Sequence, residues 1–223
     1  MSDLSLLPIF KDPALLINAL THRSALNERV STSTESNERL EFLGDAVLEL
    51  ATTEYLYARF PEKPEGELTA FRSSLVKTIT LSQVAVRLGL GEKLYLSKGE
   101  EATGGRNNTS LLADTFEAVV GALYLDQGYE AAKTFLAQAL FVEFDSILEQ
   151  KLYKDSKSQL QEVVQSKGFE APTYEVIAED GPDHDKQFTV TVSVGGTVRG
   201  TGVGKSKQLA QQEAASLALA SFT

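Results

Sequence analysis

Asn37–Leu50, NERLEFLGDAVLEL, decides how the longer, N-terminal part of the chain is read. Its apolar residues Leu40, Leu43, Val47 and Leu50 recur at three- and four-residue steps, the period of a helix with one face in a core. Glu38, Glu41 and Asp45 share that helix at offsets of three and then four. At about 100° per residue they fall within roughly 60° of one another, a narrow anionic stripe. Like charges at this spacing repel and destabilise an isolated helix. For these acids alone, a solvated face is the simpler account. A second apolar run, LLADTFEAVVGALYL (Leu111–Leu125), adds Asp114 and Glu117, again three apart and so on one face. If the two helices oppose their acidic faces, up to five carboxylates converge. Mg²⁺, a hard ion bound by carboxylates and waters, would compensate them.

The chain of 223 residues is long enough for one large domain or two small ones, and its 42% hydrophobic content is ordinary for a globular protein. It has no cysteine, which excludes disulfides and thiolate metal sites and suits the cytosol. MSDLSLLPIFKDP lacks a basic region before its short apolar run, so it does not read as a secretory signal. No apolar stretch approaches membrane-spanning length. A soluble, cytoplasmic protein without a membrane partner is expected.

NERLEFLGD, LADTFEA and the intervening GGR (Gly104–Arg106) together resemble the signature set of bacterial ribonuclease III. ALTHRS (Ala19–Ser24) resembles the segment preceding that signature, and the C-terminal third resembles a double-stranded-RNA-binding domain. The resemblance covers nearly the whole chain. It implies an all-α endonuclease domain over 1–150, a linker over 151–157 and a small α+β domain over 158–223, in the order α-β-β-β-α. It further implies a homodimer that cuts both strands of double-stranded RNA, leaving short 3′ overhangs and processing rRNA and mRNA precursors. Phe42 would anchor the dimer interface, with ordinary core packing as the competing reading.

Net charge argues against this partner. The total is −10; residues 1–150 hold 13 basic and 22 acidic residues, and residues 151–223 hold 8 and 9. A basic domain is the usual footprint of nucleic-acid binding. Here RNA must be held by local patches and geometry, not by a global positive field. Most of the acidic excess lies where bound cations would neutralise it.

With two histidines in the chain and a carboxylate cluster instead, attack by an activated water is favoured over attack by the 2′-hydroxyl. Two Mg²⁺ ions roughly 3.5–4 Å apart would serve it, with Mn²⁺ as a substitute, and the products would keep a 5′-phosphate and a 3′-hydroxyl. Glu41, Asp45, Asp114 and Glu117 are assigned as ligands, and Glu38 as an acid either nearer the RNA or supporting the ligands from behind. Asp45, Glu117 and Glu38 are the expected catalytic residues. A double-stranded-RNA-binding regulator that does not cut is the alternative, but it would require a lost carboxylate, and none is missing.

The remaining stretches are read as follows. Residues 4–29 are helical; His22 could be a ligand, but a lone histidine ending a helix is more often a hydrogen-bonded structural residue. Ser36 or Asn37 can cap the signature helix, which continues to Phe60. Pro61–Thr69 is a turn holding Glu65, for which an RNA- or metal-proximal role and a solvated loop glutamate read equally well. Ala70–Leu88 is one helix. Leu94–Asn108 is a glycine-rich loop suited to phosphate, with Arg106 as the contact. Residues 129–150 form a last helix. Asp155 or Ser156 caps a helix running to about Lys167. Strands follow at Thr173–Asp180, Gln187–Val194 and Thr197–Gly204, with a Gly195-Gly196 hairpin and a final helix over Ser206–Ala220. Ser158, Gln161 and Glu162 would reach 2′-hydroxyls, and Pro182, Asp183 and His184 would enter the next minor groove. Lys205 and Lys207 would hold phosphates across the major groove. The family pattern GxGxSKKxA reads GVGKSKQLA here, so Gln208 replaces a lysine.

Overall fold

The apolar run around Asp114 becomes a helix, Thr109–Gln127, buried on nearly every side, and other helices are built against it. The structure is a computed structural model describing residues 7–28, 30–149, 156–182 and 186–222. The chain divides into two compact units, Met1–Tyr153 and Lys154–Thr223.

The first unit is helical: α1 (Pro13–Ala19), α2 (Arg23–Glu28), α3 (Glu38–Arg59), α4 (Glu65–Val76), α5 (Thr78–Arg87), α6 (Leu90–Lys93), α7 (Lys98–Ala102), α8 (Thr109–Gln127), α9 (Tyr129–Ala139) and α10 (Phe144–Glu149). The α8 helix packs against α3, α5, α1 and α9. Asn108 caps it, its Oδ1 accepting from the amides of Ser110 (2.9 Å) and Leu111 (3.2 Å). One apolar core runs through the unit, with Phe116, Phe144, Leu48 and Leu123 fully buried.

Three expected helices are divided, each for a local reason. Within 4–29, where residues 4–6 and 29 lie outside the described residues, residues 7–12 are not helical, α1 starts at Pro13, and the helix breaks again at Thr21–His22. There the backbone pairs with Tyr95: its amide donates to Leu20 O (2.9 Å), and the His22 amide donates to its carbonyl (3.1 Å). Within 70–88 the break is at Lys77, which is extended between α4 and α5. The β-branched run Val76, Thr78, Ile79, Thr80 surrounds it, and Thr80 Oγ1 donates back to Ser74 O (2.8 Å). Within 129–150 a 3₁₀ turn, Phe141–Glu143, separates α9 from α10 and lays Phe141 on Tyr55, ring centroids 4.3 Å apart. The turn expected through Thr69 is shorter, because α4 already starts at Glu65.

The second unit contains α11 (Ser156–Ser166), β1 (Thr173–Asp180), β2 (Gln187–Val194), β3 (Thr197–Gly204) and α12 (Lys207–Leu219). This is the expected α-β-β-β-α order. Residues 151–155 of the expected linker, Asp155 included, lie outside the described residues, and Ser156 and Lys157 already belong to α11. The strands pair antiparallel in the order β1-β2-β3, and Gly195 and Gly196 turn the β2–β3 hairpin at φ 58° and 76°. Helix α12 lies directly on β3. A Cβ at Gly200 would sit 2.3 Å from Ala214 O, and one at Gly202 2.2 Å from Ala214 N. The small pairs Gly200/Ala214 and Gly202/Ala210 thus let backbone meet backbone. Leu160, Val164, Val192, Val194 and Ala218 fill the core between helices and sheet.

Candidate functional site

The α3–α8 crossing is built on two glycines. A Cβ at Gly44 would lie 1.8 Å from the Glu117 carbonyl oxygen, and one at Gly121 2.2 Å from that of Leu40. No other residue permits this approach, and each glycine costs its helix about 1 kcal/mol relative to alanine. Glu41 and Asp45 flank Gly44, while Asp114 and Glu117 precede Gly121 by two turns and one. The contact that joins the helices therefore brings the acids together.

One carboxylate oxygen from each of Glu41, Asp114 and Glu117 lies within 4.8 Å of the others. Asp45 is exposed and outside that group, although its charge bears on both Glu41 and Glu117. Burial, then the charges of Asp45, Asp114, Glu41 and Glu49, push the Glu117 carboxyl up to about 8. Burial, then Asp114, Glu38 and Asp45, raises Glu41. Burial also raises Asp114, with His22 working against it. Half-buried carboxylates pressed together in this way are a donor set that fits a hard divalent cation.

The pairing of the stripe along α3 sharpens that fit. At one end Glu38 stands 3.6 Å from the Arg23 guanidinium and accepts from Ser36 Oγ at 2.8 Å. At the other, Glu49 is 2.9 Å from Arg72 Nε. Between them, among the described residues, no lysine or arginine pairs with Glu41, Asp45, Asp114 or Glu117. Glu49, four residues past Asp45, lies on the same face, so its place in the stripe is a signal that spacing alone carries. Asn37 begins α3 without a side-chain cap bond and is held by its own amide donating to Thr21 O (2.9 Å).

A cleft of about 420 Å³ opens beside the acids, lined by His22, Asn37, Glu38, Glu41, Asp114 and Thr115. For His22 the sequence favours a structural role over a ligand role. Its ring is indeed held, with Nδ1 2.9 Å from Ser24 Oγ and accepting from the Ser24 amide at 3.3 Å. It is also a wall of the acidic cleft, a position that sequence alone could not supply.

Arg106 is held by the protein itself. Its Nε donates to Glu101 (2.6 Å) and its Nη1 to the carbonyls of Gly91 and Leu94, both at 2.9 Å. The guanidinium pins the 91–106 segment together and is largely used up by the protein itself. Glu65 is the first residue of α4 and accepts from Thr69 Oγ1 (2.9 Å); it is not a member of the three-carboxylate group. Phe42 is 81% exposed, which removes the core-packing reading. Leu50 and Tyr57 are exposed on the same side of α3.

In the second unit Ser158, Gln161 and Glu162 lie on the exposed face of α11, opposite buried Leu160 and Val164. Asp183 and His184 lie outside the described residues. Ser206 caps α12, its Oγ accepting from the Leu209 amide (3.2 Å), with Lys205, Lys207 and Gln208 exposed around that end. Lys207 is ion-paired to Glu179.

A family profile described as Ribonuclease-III-like matches residues 12–144, and one described as Double-stranded RNA binding motif matches residues 156–221. Ribonuclease 3 of Pelotomaculum thermopropionicum is 49% identical over 94% of this chain and 87% of its own length. Ribonuclease 3 of Enterococcus faecalis is 48% identical over 96% of this chain and 93% of its own. The nuclease domain of ribonuclease III from Campylobacter jejuni, which has structural flexibility in a region involved in dimer formation, superposes with a TM-score of 0.58 at 42% identity. That alignment covers 63% of this chain and 94% of the solved domain.

Proposed function

Because the chain belongs to the ribonuclease III family, and is thus an endoribonuclease with a double-stranded-RNA-binding domain, we propose that it cuts RNA duplexes with Mg²⁺ held by Glu41, Asp45, Asp114 and Glu117. The observation that carries this reading is the group of three carboxylates within 4.8 Å that no lysine or arginine neutralises among the described residues. Two ions are proposed, with Mn²⁺ able to replace Mg²⁺. When bound, such ions neutralise the acids, lower the pKa of water for attack on the phosphodiester and stabilise the departing oxygen.

The chain's own residues do the rest. Glu117 and Asp114 on α8 face Glu41 on α3 across the glycine contact, so the ligands are set before RNA arrives. Asp45 completes the set from the exposed side. Glu38, tied to Arg23 at the cleft rim, meets the RNA without holding the ion directly. With water attacking phosphorus opposite the 3′ oxygen, that oxygen leaves as a hydroxyl and the phosphate stays on the 5′ end.

Residues 1–150 are proposed as the cutting part and 158–223 as the part that holds RNA, through Ser158, Gln161, Glu162, His184, Lys205 and Lys207. The exposed side of α3, with Phe42, Leu50 and Tyr57, is proposed as the surface on which two copies meet, giving one cutting site per strand. Processing of rRNA and mRNA precursors in the cytoplasm follows from this reading. Among the described residues no helix is long and apolar enough to cross a membrane.

Incubating the purified protein with duplex RNA, with and without Mg²⁺, tests the proposal. Staggered cuts bearing 5′-phosphates are expected only with the ion, from a species that sediments as a dimer. Cutting that persists in EDTA, or products ending in 2′,3′-cyclic phosphate, would overturn the metal reading. A monomer that cuts both strands would overturn the dimer.

A further inference from the structure

The lysine placed to hold phosphate at the start of α12 already has an anion. Lys207 Nζ lies 2.8 Å from Glu179 Oε1, and Lys186 Nζ lies 3.6 Å from Glu179 Oε2. Glu179 is on β1, Lys186 immediately precedes β2 and Lys207 opens α12, so one carboxylate joins three elements. Lys207 also sits over the Phe188 ring, 5.4 Å from its centroid, and so is held from two sides. An ammonium has three N–H donors. Only one is directed at Glu179, and the others remain for a phosphate approaching from outside. The lysine hydrogen bond and the charges of both lysines hold the Glu179 carboxyl below its ordinary range, so it is anionic at neutral pH.

Resting on the duplex-RNA reading above, we infer that Glu179 is a specificity-determining residue that fixes the direction of Lys207 and Lys186 and repels phosphates arriving at any other spacing. An A-form duplex is recognised by shape, through phosphates at a fixed separation across its major groove. It engages the outward donors of Lys207 while the Glu179 pair stays intact. Single-stranded RNA and B-form DNA bind mainly by charge. To reach the same lysines from other directions they must approach the carboxylate, and the repulsion falls on them more heavily. In a unit of near-neutral net charge, such a carboxylate discriminates without adding contacts.

The test is binding by the full chain in EDTA, with duplex RNA, single-stranded RNA and duplex DNA as separate ligands over a salt series. Glu179→Gln is expected to raise affinity for single-stranded RNA and duplex DNA by about tenfold and for duplex RNA by no more than about threefold. The salt slope for the first two should steepen by about one. Glu175→Gln removes the same charge from the same strand and should move all three ligands equally and by less than about twofold. Adding Lys207→Gln to Glu179→Gln should abolish the gain. An equal gain for all three ligands in Glu179→Gln would make the effect general charge and overturn the inference. So would a loss of duplex RNA affinity, which would make Glu179 only a support for Lys207. If the unmodified chain does not bind duplex RNA, the parent reading fails and this one with it.

Discussion

At the α3–α8 crossing Glu41, Asp114 and Glu117 are pressed together with no lysine or arginine partner among the described residues, whereas beside the start of α12 two lysines share Glu179. Both places are formed where backbones touch through glycine, and both concentrate one sign of charge. They differ in who supplies the opposite sign. Along α3 the chain does so at the ends of the stripe, with Arg23 and Arg72, and withholds it in the middle. At α12 it does so at the very residue expected to meet RNA. On the proposed reading, charge left uncompensated is where a cation would be held. Charge compensated from within marks a place where binding is meant to be selective more than tight.

The sharpest way to break this comparison is to remove one acid from the uncompensated side. Glu117→Gln keeps shape and removes the charge that holds the cation. We expect cleavage at saturating RNA to fall by at least about a hundredfold, with duplex affinity little changed. Single-turnover kinetics and a binding titration measure the two separately. A rate within about tenfold of the unmodified chain would mean that the acids at the crossing are not the metal ligands.

A pH series on the metal-free protein probes the same asymmetry with smaller effects. Glu117 has its folded pKa raised from 4.5 to about 8, so the folded state retains a proton that the unfolded state releases. Its contribution to stability is full below about 4.5 and is lost as pH rises through about 8. Melting temperature should therefore fall across that window in EDTA, and added Mg²⁺ should raise it more at pH 8 than at pH 6. Metal stabilisation independent of pH would show that the acids are already ionised without it.

Gln208→Lys adds an uncompensated charge to the compensated side. Duplex binding should tighten by a few-fold, nearly uniformly across sequences, and the salt slope should steepen by about one. If neither affinity nor slope changes, the end of α12 is not where the RNA backbone is held.

The acids were legible because helical spacing is a local property. Glu38, Glu41, Asp45, Asp114 and Glu117 could be sorted onto faces from their numbers alone, and the strand limits followed from alternation and the Gly-Gly turn. What was not legible depends on partners far away in sequence. Arg106 reads as a phosphate contact in a glycine-rich loop, but the carbonyls of Gly91 and Leu94 take its donors. His22 reads as a helix-end residue until Tyr95 pairs beside it and turns it to face the acids. The break at Lys77 was locally encoded, since four β-branched residues surround it. The apolar period simply outweighed that signal. Gly44 and Gly121 each stood in an apolar helical run where glycine is costly, a sign of close packing that named no partner.

That pair also determines how freely the rest of the first unit can change. Because the spacing of the acids is gauged by main chain against main chain, variation in the surrounding leucines and valines is absorbed without moving the carboxylates. Apolar-for-apolar exchange at the leucines and valines of the two helices should therefore be tolerated far more widely than any change at the two glycines. At Gly44 and Gly121 even a methyl group forces the helices apart, and the lineage has no neighbouring sequence through which to drift.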